Sequence, residues 1–203
     1  KYLKKVDEDC SIIGATNTVT FANGILKGFN TDMEGFLEPI KKRDIEIKNS
    51  KILLLGAGGA ARAIVAAFAK QKAQEIIIAN RTLENANTLV QFAKKIGINA
   101  KAITLEEAKN SASQVKFIVN STSIGLNNEQ SLIPSELLSE DSVVYDIVYL
   151  PINTDLIKKA KEKKATVIYG YEMLLGQACR SFEIWHQREA PYEVMKRAIL
   201  GGF

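Results

Sequence analysis

Short apolar runs alternate with amphipathic segments through the middle of the chain. The run Lys51–Leu55 is almost wholly apolar and is followed by glycines, which is typical of a strand buried on both faces of a parallel sheet. After it, apolar side chains recur at helical spacing, namely Ala61, Ile64, Val65 and Phe68. This stripe predicts a helix that packs on the strand.

The same pair of elements recurs towards the C-terminus. A second buried strand is predicted at residues 75–79, and further strands at 99–103, 117–120, 143–148 and 166–168. A helical stripe ends at Gly97, and the spacing of Thr104 and Glu107 is that of a capping box that opens a short helix. Six strands with intervening helices predict an α/β fold with a doubly wound parallel sheet.

The flanking segments differ from this pattern. Residues 15–29 alternate around an Asn23-Gly24 turn, which predicts a β-hairpin, and Thr31–Arg43 carries apolar residues at helical spacing. Residues 171–185 and 190–200 are helical without a strand to follow. We interpret these flanks as parts of a second, smaller α/β domain.

The start of the chain suggests how these parts are divided. The chain begins with Lys1, and its first methionine is Met33, so we expect it to be the C-terminal part of a longer polypeptide. The expected division is 1–36 as the end of the smaller domain, 37–170 as the domain of the parallel sheet, and 171–203 as helices that return to the smaller domain.

Composition places the chain among ordinary globular proteins. Of its 203 residues, 46% are apolar and 25% are charged, which excludes intrinsic disorder, fibres and small disulfide scaffolds. The net charge of +4, from 27 Lys and Arg against 23 Asp and Glu, mildly favours an anionic ligand. The lysines of residues 158–164 are typical of a solvated helix face, so no nucleic-acid partner is expected.

Other residue types exclude further classes of protein. Cys10 and Cys179 lie in apolar patterns without metal-ligand spacing, which predicts a reducing, cytoplasmic location. No apolar run approaches the ~20 residues of a membrane span. The sole histidine, His186, lacks partners for a metal site or a catalytic triad, so no metal is expected. Phe182 and Trp185 are predicted to be core residues.

A glycine-rich segment joins the first strand to the first helix of the sheet domain: Gly56, Ala57, Gly58, Gly59, Ala60 and Ala61. Gly56 permits a tight turn, Gly58 lets the backbone approach a diphosphate, and the small Ala61 lets the helix pack closely. The free N–H groups and the dipole at the helix start would hold the phosphates. The glycine-rich segment lies between a strand and a helix, which predicts a dinucleotide site. The alternative is that its glycines serve only to form a turn.

The end of the second strand selects the dinucleotide. An NAD site usually has an acidic residue here, which accepts a hydrogen bond from the ribose 2′-hydroxyl. This chain has Asn80, Arg81 and Thr82 instead, and Arg81 can pair with a 2′-phosphate. NADP is therefore the predicted cofactor. The alternative is a surface arginine beside a threonine that caps the next helix.

A second group of polar residues lies where the hairpin meets its helix. Asp32 follows Asn30 and Thr31, and Asn17 lies in the hairpin. Asp32 is either a helix N-cap or a carboxylate that binds a substrate hydroxyl or shares a proton with a lysine. The residue pattern does not choose between these two roles.

Motifs along nearly the whole chain resemble, in order, those of the shikimate dehydrogenase family. They are Asn17-Thr18-Val19, Asn30-Thr31-Asp32 with Gly35-Phe36, the glycine-rich segment, Asn80-Arg81-Thr82, Asn120-Ser-Thr-Ser-Ile-Gly125, Tyr145-Asp-Ile-Val-Tyr149 with Pro151 and Thr154, and Gly170 through Met173-Leu174 to Gln177-Ala178. The resemblance implies a Rossmann-like cofactor domain beside the remnant of a smaller substrate domain. It also implies reversible, NADPH-dependent reduction of 3-dehydroshikimate to shikimate in aromatic amino-acid biosynthesis.

The resemblance also assigns roles to residues on the substrate side. By that likeness Asn17 and Asp32 would hold ring hydroxyls, Tyr149 would reach the substrate carboxylate, and Gln177 would hydrogen-bond the substrate. Asp32 would also be the catalytic partner of a lysine at the reacting carbon, where a cation stabilises the developing alkoxide and delivers its proton.

On the cofactor side, the resemblance implies a nicotinamide pocket lined by Asn120, Thr122, Ile124, Gly170 and Met173. The only partner it implies is the small-molecule substrate, bound by a monomer or a homodimer. No membrane association is expected.

The chain departs from the family pattern at two places. The family's catalytic lysine lies upstream of the Asn17 hairpin, and Lys1, Lys4 and Lys5 are interpreted as helix-surface residues instead. The 203-residue chain by itself is therefore expected to be inactive or nearly so. Glu84 stands where relatives often have a basic residue, and its charge would disfavour a nearby 2′-phosphate.

Two alternatives stay open at this point. The first is a quinate/shikimate dehydrogenase that uses NAD, whose substrate ring would carry an additional hydroxyl. The second is a module that binds a nicotinamide nucleotide without catalysis, such as a redox-sensing regulator. Asp32, Tyr149 and Gln177 argue against the second alternative, because a sensor has no need for substrate groups.

Overall fold

The computed structural model describes residues 3–201 and contains two sheets with helices packed around them. The strands are β1 (Lys5–Val6), β2 (Thr18–Ala22), β3 (Ile25–Phe29), β4 (Lys51–Leu55), β5 (Glu75–Asn80), β6 (Asn99–Thr104), β7 (Phe117–Asn120), β8 (Val143–Asp146) and β9 (Thr166–Tyr169). The helices are α1 (Glu8–Ile13), α2 (Asp32–Lys41), α3 (Gly59–Lys70), α4 (Leu83–Lys95), α5 (Lys109–Ala112), α6 (Asp155–Glu162), α7 (Gly170–His186) and α8 (Tyr192–Gly201).

The larger sheet has six parallel strands in the order β6-β5-β4-β7-β8-β9. Strands β5 and β6 follow β4 on one side of the sheet. Strands β7, β8 and β9 then follow on the other side of β4. This is the strand order of a doubly wound, Rossmann-like fold, so the predicted fold class is confirmed. The switch point, where such folds bind ligands, lies between the carboxyl ends of β4 and β7.

The four central strands, β5, β4, β7 and β8, are buried on both faces, which explains their continuous apolar runs. The edge strands β6 and β9 are partly exposed. In β4, Ile52 and Leu54 belong to one apolar core, whereas Leu53 and Leu55 belong to a second core on the opposite face. Successive side chains of a strand point to opposite faces, so a strand covered by helices on both sides needs apolar residues at every position.

The smaller sheet has three strands in the order β1-β3-β2. Strands β2 and β3 form the predicted hairpin, and its turn residues Asn23 and Gly24 have φ values of 51° and 73°. Two consecutive positive φ angles are what a type I′ hairpin turn requires.

One prediction about the N-terminal lysines is wrong. Lys5 lies in β1 and pairs with Lys27 of β3, and Lys4 precedes that strand, so neither residue is on a helix. Strand β1 forms because Lys5 and Val6 pair with the edge of β3 that β2 leaves open. A strand of two residues is too short to show a periodicity in the sequence. Lys1 lies outside the described residues.

Several predicted element ends are confirmed and two are shifted. Gly97 has a φ of 86° just beyond the end of α4, as a helix-terminating glycine should. The capping-box bonds between Thr104 and Glu107 form, but the helix begins only at Lys109. The strand predicted at 143–148 ends at Asp146, because the side chain of Asp146 binds the N–H of Val148 and turns the chain.

Helices α2 and α7 pack with their backbones in direct contact. A Cβ atom placed on Gly35 would lie 2.7 Å from the backbone nitrogen of Gln177, and one on Gly176 would lie 2.9 Å from the Cα of Gly35. At the other end of the contact, Arg43 donates to both carboxylate oxygens of Glu172, at 2.8 and 2.9 Å. The two glycines therefore set how closely α7 approaches α2.

The residues near the end of α7 differ from expectation. The prediction that Trp185 is a core residue is wrong, because 57% of its surface is exposed and its indole N–H donates to the Val19 carbonyl. Phe182 is half-buried, and the exposed His186 lies against it with ring centroids 4.3 Å apart. Cys10 and Cys179 are buried free thiols.

The described chain holds neither a membrane-spanning helix nor a cluster of metal-ligating side chains. No helix among residues 3–201 combines the length and the apolarity needed to cross a membrane. Within the same range, His, Cys, Asp and Glu side chains form no group of three or more that suits a metal ion.

The buried phenol of Tyr145 gives a direct test of the core. Tyr145 stacks on Phe36 at 4.6 Å, and its hydroxyl has no hydrogen-bond partner among the described residues. Because an unpaired buried polar group is destabilising, we expect Tyr145→Phe to raise the free energy of unfolding by about 1 kcal/mol in a urea titration. The control Tyr171→Phe changes a partly exposed ring and should leave stability unchanged. A loss of stability in Tyr145→Phe would contradict the unpaired hydroxyl.

Candidate active site

The glycine-rich turn lies at the switch point of the sheet. Gly56 has a φ of 104°, and a Cβ atom there would lie 2.6 Å from the Ser121 hydroxyl. Gly58 is the N-cap of α3, and nothing lies within 4 Å of the Cβ position of Gly58 or Gly59. Gly56 is thus required for the turn, whereas the backbone of the next two glycines stays open to a ligand at the start of a 12-residue helix.

The residues predicted to select the cofactor lie beside this turn. The N–H of Gly56 donates to the carbonyl of Ala79, so the end of β5 adjoins the glycine segment. Arg81 is exposed, and the Asn80 side chain donates to the Thr82 carbonyl at 2.8 Å. Thr82 occupies the N-cap position of α4, but its hydroxyl makes no capping bond. The Arg81 side chain is therefore open to solvent, and the Thr82 hydroxyl is not used to cap the helix.

Asn120 shapes the loop after β7 from inside the protein. Its side-chain nitrogen donates to the Ile124 carbonyl and to Asp146, and its side-chain oxygen accepts from the N–H and the hydroxyl of Thr122. Only 3% of Asn120 is exposed, and its hydrogen-bonding capacity is used within the protein. It therefore acts on the predicted nicotinamide pocket by holding Thr122 and Ile124, both half-buried, in place.

Asp146 is a buried carboxylate beneath the same loop. One oxygen accepts from Asn120 at 2.9 Å and from the N–H of Val148 at 3.1 Å, and the other accepts from the Thr154 hydroxyl at 2.6 Å. Burial raises the pKa of Asp146, while the bonds from Thr154, Val148 and Asn120 lower it. Asp146 thereby joins β7, β8 and the N-cap of α6 below the pocket.

Gly170 and Met173 bring the start of α7 to this region. A Cβ atom on Gly170 would lie 2.5 Å from the carbonyl oxygens of Ile147 and Val148, so only glycine fits there. Met173 is 4% exposed and belongs to the apolar core, which leaves it at most an edge contact with a cofactor. Tyr149 follows this contact in the loop after β8, with 46% of its surface exposed. Its predicted contact with a substrate carboxylate stays a prediction.

The structure brings three predicted substrate residues together at Asp32. The Asn17 and Gln177 side chains each donate to the same oxygen of the Asp32 carboxylate, Oδ1, at 2.8 Å. These residues come from the hairpin, the start of α2 and the middle of α7. Three separate elements thus converge on one carboxylate oxygen.

The N-cap interpretation of Asp32 is wrong. The N-cap of α2 is Thr31, whose side chain makes no capping bond, and Asp32 is the first helical residue. Its own N–H donates to the Asn30 side chain at 2.9 Å, and its carboxylate faces Asn17 and Gln177 instead of the helix backbone.

The Asp32 carboxylate is poorly solvated and has no cationic neighbour in the described chain. Burial raises its pKa above the ordinary value, and the bond from Asn17 lowers it by a smaller amount. Among residues 3–201, the ion pairs involve other acidic groups and leave out Asp32. A carboxylate in this state favours a hydroxyl donor or a cation as its next ligand.

Helix α7 connects the two halves of the site. Gly170, at its start, contacts the loop after β8, and Gln177 contacts Asp32. Seven residues of α-helix span about 10 Å, so the loop beside the sheet and the carboxylate are set roughly 10 Å apart along one rigid element. This spacing suits a nicotinamide on one side and a small molecule on the other.

Comparison with known proteins agrees with this geometry. The family model for shikimate / quinate 5-dehydrogenase matches residues 39–140, and that for the shikimate 5'-dehydrogenase C-terminal domain matches residues 170–200. A shikimate dehydrogenase (NADP(+)) of Nitrosopumilus maritimus is 68% identical over 203 residues, which cover 100% of this chain and 74% of the relative. The chain belongs to the shikimate dehydrogenase family.

Solved structures of the shikimate dehydrogenase family and its neighbours share the fold. A Thermus thermophilus shikimate 5-dehydrogenase in complex with NADP(H) and shikimate aligns with a TM-score of 0.84 and 34% identity, over 99% of this chain and 73% of that one. A quinate dehydrogenase from Corynebacterium glutamicum in complex with NAD aligns with a TM-score of 0.91 and 26% identity, over 98% of this chain and 72% of that one.

The sequence did not single out two residues that contact the site residues, Asp146 and Ser181. Asp146 appeared only within a family motif, although a lone acidic residue in an otherwise apolar strand is a signal for a buried polar network. Ser181 carries no such signal, because a serine four residues after Gln177 on a helix is unremarkable without its partner on the hairpin.

Titration of Asp32 tests the electrostatics of this cluster. We expect ¹³C NMR to give its carboxyl a pKa above the usual value, so that Asp32 is more protonated than a free aspartate at the same pH. Asn17→Ala removes a bond to the charged form and should raise the pKa further, whereas the control Asn87→Ala, in exposed α4 surface, should not change it. A pKa at or below the usual value would contradict the burial of the carboxylate.

Proposed function

We propose that the native protein carries out the reversible, NADP-dependent interconversion of 3-dehydroshikimate and shikimate, a step of aromatic amino-acid biosynthesis. The observation that carries the proposal is the convergence of Asn17 and Gln177 on Asp32 in a member of this family. A module that only binds a nucleotide has no use for this polar cluster, so the non-catalytic alternative is disfavoured.

The residues present fit a nicotinamide dinucleotide. Gly58 and Gly59 expose backbone at the start of α3, which suits a diphosphate, and Gly56 leaves the space that any side chain would fill. Arg81 and Thr82 would hold a 2′-phosphate, and the loop held by Asn120 would adjoin the nicotinamide. When bound, NADPH supplies the hydride that reduces the substrate carbonyl carbon.

The substrate side of the mechanism is assigned to the cluster around Asp32. Asn17 and Gln177 hold one oxygen of the carboxylate, and the other oxygen would accept a hydrogen bond from a ring hydroxyl of the substrate. The raised pKa of Asp32 reflects a site from which water is partly excluded, where a hydrogen bond to the carboxylate is stronger. Asp32 would also share a proton with the lysine that the family places beside it, and Tyr149 would reach the substrate carboxylate.

On this proposal, residues 1–36 are the end of the substrate domain, residues 37–170 form the cofactor domain, and residues 171–203 return to the substrate domain. A cytoplasmic location and a monomeric or homodimeric state stay predictions. The 203-residue chain by itself is expected to turn over little substrate, because no lysine of the described residues pairs with Asp32.

Steady-state oxidation of shikimate by the native protein tests the proposal. With NADP we expect turnover, and Asp32→Asn should lower kcat/KM by about 100-fold or more, the range for loss of a positioned acid or base. The control Asp141→Asn changes an exposed carboxylate far along the chain and should leave kcat/KM unchanged. Full turnover by Asp32→Asn would remove the catalytic role and favour the non-catalytic module.

Use of NAD with quinate is the second candidate function. Two observations favour this second candidate. Glu84 is exposed in the first turn of α4, close in sequence to Arg81, and the chain aligns with a quinate dehydrogenase in complex with NAD. Kinetics with quinate and shikimate, each with NAD and NADP, separate the candidates. If kcat/KM is higher for quinate with NAD than for shikimate with NADP, quinate and NAD are the substrate and cofactor instead of the proposed pair.

A further inference from the structure

Helix α7 presents three polar side chains, one turn apart, to the hairpin and the start of α2. Gln177 donates to Asp32 at 2.8 Å, Ser181 shares a hydrogen bond with the Thr18 hydroxyl at 2.9 Å, and Trp185 donates to the Val19 carbonyl at 3.1 Å. Residues four apart on a helix lie on one face, so these bonds form a continuous stripe along α7. Gln177 is part of the proposed substrate site, whereas Ser181 has no role in it so far.

The orientation of the Asn17 side chain follows from its other partners. The Asn17 oxygen accepts from the backbone N–H of Thr31 at 3.1 Å, and an N–H can only donate. The oxygen must therefore face Thr31, and the nitrogen must face Asp32. The hydroxyl of Thr18 also donates to this oxygen, at 3.0 Å, and holds the same orientation.

A count of protons then gives the direction of the bond between Ser181 and Thr18. A hydroxyl has one proton to donate. The Thr18 hydroxyl lies 3.0 Å from the Asn17 oxygen, which can only accept, and 2.9 Å from the Ser181 hydroxyl. Both bonds form together only when Thr18 donates to Asn17 and Ser181 donates to Thr18. The Thr31 hydroxyl makes longer contacts, 3.3 Å to the Asn17 oxygen and 3.5 Å to the Ser181 hydroxyl. The bonds consequently run in one direction, from Ser181 through Thr18 and Asn17 to the carboxylate of Asp32. Hydrogen bonds aligned in this way strengthen one another.

We propose that Ser181 is a positioning residue: its hydroxyl orients Thr18, and Thr18 holds the Asn17 amide towards Asp32. Thr18 is buried, whereas Ser181 is half-buried and lines an open groove together with Asn17 and Gln177. We call the bonds from Ser181 through Thr18 and Asn17 to Asp32 the relay. The relay therefore borders the space where a substrate would lie. The proposal rests on the proposed function for its effect on catalysis.

Kinetics of the native protein provide the first test. Ser181→Ala should raise the KM for shikimate about three- to tenfold, the effect of one neutral hydrogen bond, and change kcat and the KM for NADP less than twofold. Ser181→Thr restores the hydroxyl and should restore the KM, and the control Ser113→Ala, at an exposed position, should have no effect. An unchanged KM in Ser181→Ala, or no recovery in Ser181→Thr, would overturn the proposal.

A double-mutant cycle tests whether Ser181 acts through Thr18. Thr18→Val keeps the shape of the side chain and removes the hydroxyl, so adding Ser181→Ala to it should have no further effect on KM. Additive effects of the two substitutions would show that Ser181 acts by another route and would overturn the relay.

The side-chain amide protons of Asn17 give a readout that needs no turnover. In the NMR spectrum of the native protein, these resonances should shift in Ser181→Ala and return in Ser181→Thr. Resonances that do not move would overturn the relay even where shikimate is a substrate. Absence of shikimate turnover with the expected NMR shifts would overturn the proposed function and leave the relay supported.

Discussion

The close contact between α2 and α7 is the constraint on which the candidate site depends. Side chains on facing helices normally hold the two axes 8–10 Å apart. Here Gly35 faces the backbone of Met173 and Gln177, where its Cβ would come within 2.9 and 2.7 Å, and Gly176 faces the backbone of Gly35. Without side chains in between, the amide of Gln177 reaches the carboxylate of Asp32 on the opposite helix.

The same helix ties this contact to the parallel sheet. At the start of α7, Gly170 rests on the carbonyls of the loop after β8, and the strand before that loop ends in Asp146, which also holds the loop after β7. A cofactor bound at the sheet and a substrate bound at Asp32 would therefore be positioned by one rigid element. Hydride transfer needs such a fixed separation, because the reacting atoms must be held in contact at a defined angle.

The sequence predicts the sheet well because each strand carries its own signal. The run Ile52–Leu55 is buried on both faces and shows this by being apolar throughout, and the Asn23-Gly24 turn depends on local φ angles. The cluster at Asp32 has no local signal, since its partners are 15 and 145 residues away, and only a resemblance to a family identified it. Likewise, the exposure of Trp185 and the pairing of β1 depend on neighbours that are distant in the chain.

A crystal structure of Gly35→Ala tests the central claim most directly. We expect the new methyl group to push α7 away from α2 and to break the 2.8 Å bond between Gln177 and Asp32, whereas Gly201→Ala, at a position with open space, should leave the bond intact. A Gly35→Ala structure in which that bond keeps its length would contradict the claim that the glycine contact assembles the site.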